Sequence, residues 1–244
     1  MAKKRKLKKP LKKFIWSSLV CIFLVLCLYF FYQAFVSFQD ERHTEDIILE
    51  IQEKIGEISF DNPTVDFDIL KAQNEDTVGY IVVEGTPISY PVVQGEDNDY
   101  YLRRSFDQTY NRRGWIFMNA DNHADMSDTN TVLFGHNTLD ETMFGPLLDI
   151  YNGEYGNQIQ ITYYTPETKY VYQVYSIYLA SPSDGTSIQK NVSSSFIEMS
   201  KIRSHISFEA TSTSHQIITL STCYYTNKDR IIMHGVLVES ESDS

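Results

Sequence analysis

The amino-acid sequence predicts a mostly β domain, a closed or nearly closed barrel of eight strands, preceded by one transmembrane helix. Three observations carry this prediction: a long apolar run near the N-terminus, a helical stripe after it, and then eight short β-rich runs separated by turn residues. Little helix lies between the β-rich runs, which favours a barrel over a parallel sheet with crossover helices.

The N-terminus has the composition of a membrane anchor. Residues 1–13 contain eight Lys or Arg and no acid, and residues 14–36 are 23 residues without a charged side chain. As a helix this run covers about 35 Å, enough for a hydrocarbon core of about 30 Å. Because basic flanking residues stay in the cytoplasm, we expect a single-pass membrane protein whose remaining chain lies outside the cell.

Two alternatives to a retained anchor exist. A cleaved signal peptide is disfavoured, because the apolar run is longer than the usual h-region and no small-x-small cleavage site follows it. A lipidated cysteine is disfavoured because Cys21 and Cys27 follow Val20 and Leu26 rather than a small residue. Packing within the membrane is the simpler interpretation of both cysteines.

Charge and motif content limit the function classes. Beyond the basic tail, the chain carries 13 Lys or Arg against 32 Asp or Glu, so it would repel nucleic acid and no DNA or RNA partner is expected. No HExxH or CxxC motif is present, and we expect neither a metal nor another cofactor.

Periodicity sets the expected order of elements. Residues 37–66 are predicted as a helical linker, with an isoleucine stripe over 45–58. Residues 67–240 are predicted as the barrel domain and 241–244 as a disordered acidic tail. Turn-forming residues bound each β-rich run. The eight predicted strands are 79–83, 88–93, 115–118, 131–134, 159–164, 170–179, 217–221 and 231–238. Two helical insertions are predicted, at 143–150 and at 193–205.

Cys223 is the only cysteine beyond the apolar run, and it directly follows a β-rich run. An unpaired thiol in an exported domain indicates either a link between two chains or a reactive nucleophile, while a small buried hydrophobe is the plain alternative. A catalytic thiol needs a partner that manages its proton and a donor that stabilises an oxyanion.

His136 and Arg230 are the candidates for those two roles. An apolar strand ends at Gly135 and releases His136 into a loop, where chemistry on a rigid scaffold is usual. Arg230 follows Cys223 by seven residues, and the two lie at the same end of the domain if their strands pair antiparallel. A guanidinium there favours a thiolate and donates to an oxyanion. Solvated surface side chains are the alternative for both.

Together these motifs resemble the active-site signature of sortases, the membrane-anchored cysteine transpeptidases of Gram-positive bacteria. The signature consists of TLSTC at 219–223, Arg230 and GHN at 135–137. Four further segments resemble the class B pattern: NEDTVGYI at 74–81, ISYPVVQ at 88–94, DNDYYL at 97–102 and GWIFM at 114–118. The leading helix and the helical insertion before the cysteine strand also fit class B. The resemblance extends over roughly residues 45–240.

The resemblance implies a sortase-like closed eight-stranded barrel that performs acyl transfer through a thioester. Cys223 would attack the Thr carbonyl of a C-terminal sorting signal on an exported surface protein, and an amine of the lipid II or peptidoglycan cross-bridge would resolve the thioester. His136 would protonate the leaving amine and deprotonate the incoming one, and Arg230 would hold the substrate and its oxyanion. The implied substrate contacts are Asn98, Leu102, Ser221, Phe196 and Ile197.

Other functions stay open from the sequence. A pilin-polymerising sortase would use a lysine of the next pilin as its acceptor. A thiol protease would let water resolve the same thioester, and a non-catalytic barrel would bind surfaces without chemistry. The pentapeptide of the sorting signal is not predicted.

Overall fold

The computed structural model describes residues 9–56, 65–138, 140–210, 212, 214–223 and 229–242. Within these ranges, the side chains of Leu11, Cys223 and Ser242 lie outside the description. The chain divides into two units, residues 1–43 and residues 44–244.

The first helix, α1, spans Lys9–Ile55 without interruption, so it includes the predicted anchor and most of the predicted linker. It is long and apolar enough to cross a membrane. Residues 57–64, which include the last part of the stripe over 45–58, lie outside the described residues. In the second unit, Ile47 and Ile51 of α1 are buried in the same hydrophobic cluster as the barrel interior.

A short helix that the sequence did not predict, α2 (Phe67–Gln73), leads into the first strand. Asp66 caps it: its Oδ1 accepts hydrogen bonds from the backbone N–H groups of Asp68 and Ile69, both at 3.1 Å. Capping by an Asp side chain satisfies donors that the first helical turn leaves unpaired.

All eight predicted strands are present, and they close into one barrel. The strand order is β1-β2-β3-β4-β7-β8-β6-β5, with β5 pairing back to β1. Two neighbouring pairs, β2 with β3 and β4 with β7, are parallel, and the other pairs are antiparallel. The strands are β1 (Thr77–Val83), β2 (Ser89–Val93), β3 (Phe117–Met118), β4 (Asn130–Phe134), β5 (Gln160–Tyr164), β6 (Thr168–Ala180), β7 (Ile217–Cys223) and β8 (Arg230–Ser242).

Large aromatic side chains fill the core around these strands. Val, Ile and Tyr dominate β1, β5 and β6, as expected for pleated surfaces that pack on other side chains. The largest fully buried side chains include Trp115, Tyr101, Tyr163, Tyr172, Phe106, Phe117 and Phe144. All seven belong to one hydrophobic cluster.

The predicted disordered tail at 241–244 is wrong for its first two residues. Strand β8 continues to Ser242 because β6 is equally long and pairs with it: Lys169 lies opposite Glu241, and Thr168 opposite Ser242. The Lys169 ammonium also lies 3.5 Å from a Glu241 carboxylate oxygen. Residues 243–244 lie outside the described residues.

The two predicted helical insertions are present in shorter form. Helix α3 spans Leu147–Tyr151, and α4 spans Ser194–Arg203. A 3-10 helix, Gly185–Ile188, precedes α4, and another, Tyr100–Arg103, follows β2. Helix α4 packs against β6.

Candidate active site

The strand register brings the three predicted catalytic positions to one end of the barrel. β4 and β7 are parallel neighbours, and in their ladder Phe134 lies opposite Ser221. Two residues further along, this register would place His136 level with Cys223. On the other side of β7, the antiparallel ladder pairs Cys223 with Arg230. The end of β4 therefore lies beside the end of β7 and the start of β8, although almost ninety residues separate His136 from Cys223 in the chain.

His136 is half-buried and hydrogen-bonded to the main chain. Its Nε2 lies 2.8 Å from the carbonyl oxygen of Leu102 and donates to it. Burial lowers the pKa of His136 below its ordinary value of 6.5, and the positive charge of Arg103 lowers it further, while the bond to Leu102 opposes both effects. The imidazole is therefore mainly neutral at neutral pH, as a base must be before it accepts a proton.

Gly135 shapes the turn that presents His136. Its N–H donates to the carbonyl of Ser221 at 3.2 Å, which extends the contact between β4 and β7 by one residue. A Cβ at this position would stand 2.7 Å from the ring of Phe144. The N–H of Phe144 in turn donates to the carbonyl of His136 at 3.0 Å, so the ring and the histidine backbone are fixed together.

Arg230 is half-buried and occupies the first position of β8, with Cys223 opposite it on one side and Ala180 on the other. Among the described residues, no carboxylate lies within ion-pair distance of its guanidinium. The backbones of Cys223 and Arg230 are therefore paired directly across the ladder between β7 and β8.

Ser221 and Leu102 are the two predicted substrate contacts that lie beside this group. Ser221 is 2% exposed, and its Oγ has no hydrogen-bond partner within the described part of the chain. Leu102 supplies a main-chain acceptor to His136, a role that the sequence prediction missed.

Asn98 joins two loops rather than standing free. Its Nδ2 donates to Asn119 Oδ1 at 3.0 Å, and its Oδ1 accepts the N–H of Ala120 at 2.8 Å. A cleft of about 490 Å³ lies between this junction and residues 188–191. Asn98 thus lines this cleft, and its two hydrogen bonds hold its side chain in place.

Phe196 and Ile197 lie on α4, away from the residues above. Ile197 packs with Tyr175, Val236 and Ile217, and Phe196 packs against the same cluster. Ile217 is the first residue of β7 and Cys223 the last, a separation of about 20 Å along an extended strand. The structure does not bring these two side chains together with His136 and Arg230.

The described residues contain no group of three or more His, Cys, Asp or Glu side chains that could hold a metal ion.

A closed eight-stranded barrel with Cys, His and Arg positions at one end is the arrangement of a sortase domain. The Sortase domain family model matches residues 81–238, and the chain belongs to the sortase family. Family membership implies a cysteine transpeptidase. Similar proteins narrow the class further.

Sortase B of Staphylococcus aureus is 28% identical over 230 residues, with 91% of this chain and 94% of that protein covered. The structure of Bacillus anthracis sortase B in complex with AAEK1 has a TM-score of 0.71 and 30% identity, over 83% of this chain and 99% of that one. The Staphylococcus aureus sortase B-substrate complex has a TM-score of 0.67 and 28% identity, over 82% and 97%. The chain is a class B sortase, and the pilin-polymerase and binding-module alternatives are not favoured.

Proposed function

We propose that this class B sortase cleaves a C-terminal sorting signal after Thr and transfers the surface protein to an amine of lipid II or the peptidoglycan cross-bridge. The observation that supports this proposal most directly is the register of β4, β7 and β8, which brings His136, Cys223 and Arg230 to one barrel end. A nucleophile, a proton carrier and an anion-stabilising cation are the three parts that acyl transfer needs.

The reaction has two balanced steps. In the first, the Cys223 sulfur forms a bond to the Thr carbonyl carbon, and the thiol proton passes to His136. The amide C–N bond then breaks, and His136 gives the proton to the leaving amine. In the second, the acceptor amine loses a proton to His136 and forms a new C–N bond, while the C–S bond breaks and the sulfur recovers a proton. No oxidant or reductant is consumed.

Arg230 stabilises the oxyanion that forms in both steps. Arg230 is half-buried and pairs with the backbone of Cys223, and a partly buried guanidinium interacts more strongly with developing charge than one in bulk water. Ser221 is the best supported substrate contact, because it lies two residues before Cys223 on β7 and its buried Oγ has no hydrogen-bond partner among the described residues. Asn98, Leu102, Phe196 and Ile197 remain predicted contacts.

The basic tail and apolar helix support an extracellular barrel anchored through residues 14–36. Anchoring confines the enzyme, a lipid-linked acceptor and a tethered surface protein to one membrane face, which raises their effective concentration. Protease added to intact cells should digest the barrel and leave the basic tail intact. A barrel that survives until the cells are lysed would disprove this orientation.

Mass spectrometry of the full chain in detergent tests the chemistry. After incubation with a library of Thr-containing sorting peptides, the wild type should carry an acyl adduct that Cys223→Ala lacks. We expect acylation to slow by about 10²–10⁴-fold in His136→Ala, and by about 10²–10³-fold in Arg230→Ala. His215→Ala, which changes an exposed histidine, serves as the matched control.

Two further arms make this test decisive. Adding cross-bridge peptides or lysine-bearing pilin peptides to the acyl-enzyme identifies the acceptor by the mass of the product. If the wild type forms no adduct with any peptide although its thiol reacts with a small electrophile, the transpeptidase proposal is wrong and the binding-module alternative gains support.

A further inference from the structure

The hydrogen bond between His136 and the Leu102 carbonyl determines which nitrogen of the neutral imidazole carries the proton. A carbonyl oxygen can only accept, so the neutral ring must carry its proton on Nε2, which lies 2.8 Å away. Nδ1 then holds the free lone pair. In neutral histidine the choice of tautomer determines which nitrogen acts as the base.

The Leu102 carbonyl is held in place from both sides. The N–H of Leu102 donates to Asp99 within the 3-10 turn at 3.2 Å. Of the neighbouring carbonyls, Tyr101 accepts the N–H of Trp115 at 3.0 Å, and Arg103 accepts the N–H of Asn111 at 3.0 Å. The segment that contains Asn111 and Trp115 thus folds back along the 3-10 turn. Its two hydrogen bonds hold the backbone on both sides of the Leu102 carbonyl.

Gly114 permits this close approach. Its φ is +61°, and a Cβ there would stand 2.6 Å from the Tyr101 oxygen and 2.8 Å from the Leu102 oxygen. Both neighbours are main-chain atoms, which cannot rotate away as a flexible side chain would. Any larger residue at position 114 would therefore push on the carbonyl that His136 uses.

We propose that Gly114 is a positioning residue for His136: its lack of a side chain lets the Leu102 carbonyl hold the ring in the Nε2-protonated tautomer, with Nδ1 exchanging protons during acyl transfer. The role of Nδ1 rests on the proposed function, whereas the tautomer does not. Burial and the nearby charge of Arg103 keep the ring neutral, and tautomer selection applies only to the neutral ring.

Nitrogen NMR of the full chain in detergent, with ¹⁵N-labelled histidine, measures the tautomer directly. His136→Gln identifies the His136 signals by their loss. Above the imidazole pKa, the wild type should show one neutral tautomer, protonated on Nε2. Gly114→Ala should show a mixture of tautomers and a rate of acylation that is lower by about 100-fold, with little change in KM for the sorting peptide.

Gly85→Ala is the matched control. Gly85 also has a positive φ, +74°, but no atom lies within 4 Å of its would-be Cβ. This variant therefore carries the same backbone strain without pressing on a neighbour. It should keep the wild-type tautomer and rate. An equal change in both variants would overturn the proposal, because strain alone would then explain it.

A second variant covers the case in which Gly114→Ala does not fold. Replacing Arg103 by its α-hydroxy acid turns the Leu102 carbonyl into an ester carbonyl, a weaker acceptor, without adding any atom near Gly114. We expect the Nδ1-protonated tautomer to appear. A single Nε2-protonated tautomer that persists in the ester, or an Nδ1-protonated ring in the wild type, would overturn the proposal. The spectrum needs no substrate, so it remains informative even if no sorting peptide reacts.

Discussion

Gly135 determines how β4 continues into the loop that carries His136. The Phe144 ring occupies the space where a side chain at position 135 would lie, and the backbone of Phe144 holds that of His136. The loop can therefore follow the strand closely only because the residue between them has no Cβ.

We expect Gly135→Ala to lower the free energy of unfolding by about 1–3 kcal/mol, because the fully buried Phe144 ring must shift. Acylation should slow as well, since the shift moves His136. Urea unfolding and acylation rates of the full chain measure both effects. Adding Phe144→Leu, which makes room for the methyl group, should recover part of the lost rate. Wild-type stability in Gly135→Ala would contradict this account.

The sequence predicted Cys223, His136 and Arg230 as the residues of the proposed chemistry, because these reactive or charged side chains stand at or just beyond strand ends. It missed the acceptor for His136, because a main-chain carbonyl exists at every position and leaves no signal of its own. Gly114 is the one residue whose type in the sequence reflects this acceptor. Its role depends on how closely it approaches the Leu102 backbone, which the sequence alone does not show.

At the scale of elements, local sequence predicted the strands but not all of their lengths. Strand ends depend on the partner: β8 extends to Ser242 because β6 is there to pair with it, although Glu and Ser at 239–242 resemble a solvated tail. Helix α2 was missed because its seven residues are too few to show a clear helical period of apolar side chains. The only sequence feature that indicated its start was Asp66, an N-cap residue.

Helix α1 and the loop that carries the Leu102 carbonyl are joined within the second unit by a buried polar contact. Asn111 Nδ2 donates to Thr44 Oγ1 at 3.0 Å, and both residues are at most 1% exposed. The backbone of Asn111 also donates to Arg103, next to Leu102. The part of α1 that lies in the second unit thereby supports the loop that carries the Leu102 carbonyl.

We expect Thr44→Val to cost about 0.5–1.5 kcal/mol of unfolding free energy, because it removes one hydrogen bond of a buried amide that keeps Ser105 Oγ, at 3.3 Å, as a second acceptor. Thr44→Ser keeps the hydroxyl and should stay close to the wild type. Chemical denaturation of the full chain in detergent compares the three proteins. Equal stability of the Val and Ser variants would show that this hydrogen bond contributes nothing measurable.

For the whole molecule, His234 links the barrel's stability to pH. It is fully buried, with Nδ1 hydrogen-bonded to the Thr219 hydroxyl at 2.8 Å and Nε2 to the Tyr178 hydroxyl at 2.9 Å. Burial, and secondarily the charge of Arg203, lower the pKa of His234 to about 3. The folded protein therefore binds this proton less readily than the unfolded chain, whose histidine titrates near 6.5.

The neutral His234 should contribute its full stabilisation above about pH 6.5 and lose about 1.4 kcal/mol per pH unit as the pH falls below that value. The pKa of His136 is shifted in the same direction, so it adds to the same slope. Urea midpoints measured between about pH 6.5 and pH 5, above the range where most carboxylates titrate, show the effect. His234→Gln should flatten the curve, and an unchanged slope in this variant would contradict the assignment.

The strand order has a consequence for when activity can arise. β7 lies between β4 and β8, and β8 closes the barrel against β6, so the last two strands to be synthesised complete the structure. A nascent chain that has reached only β6 holds His136 but neither Cys223 nor Arg230. Pairing between such distant segments forms late because it must first overcome loop-closure entropy. On the proposed mechanism, an incomplete chain thus has no reactive centre, and the enzyme begins to act only when its barrel is finished.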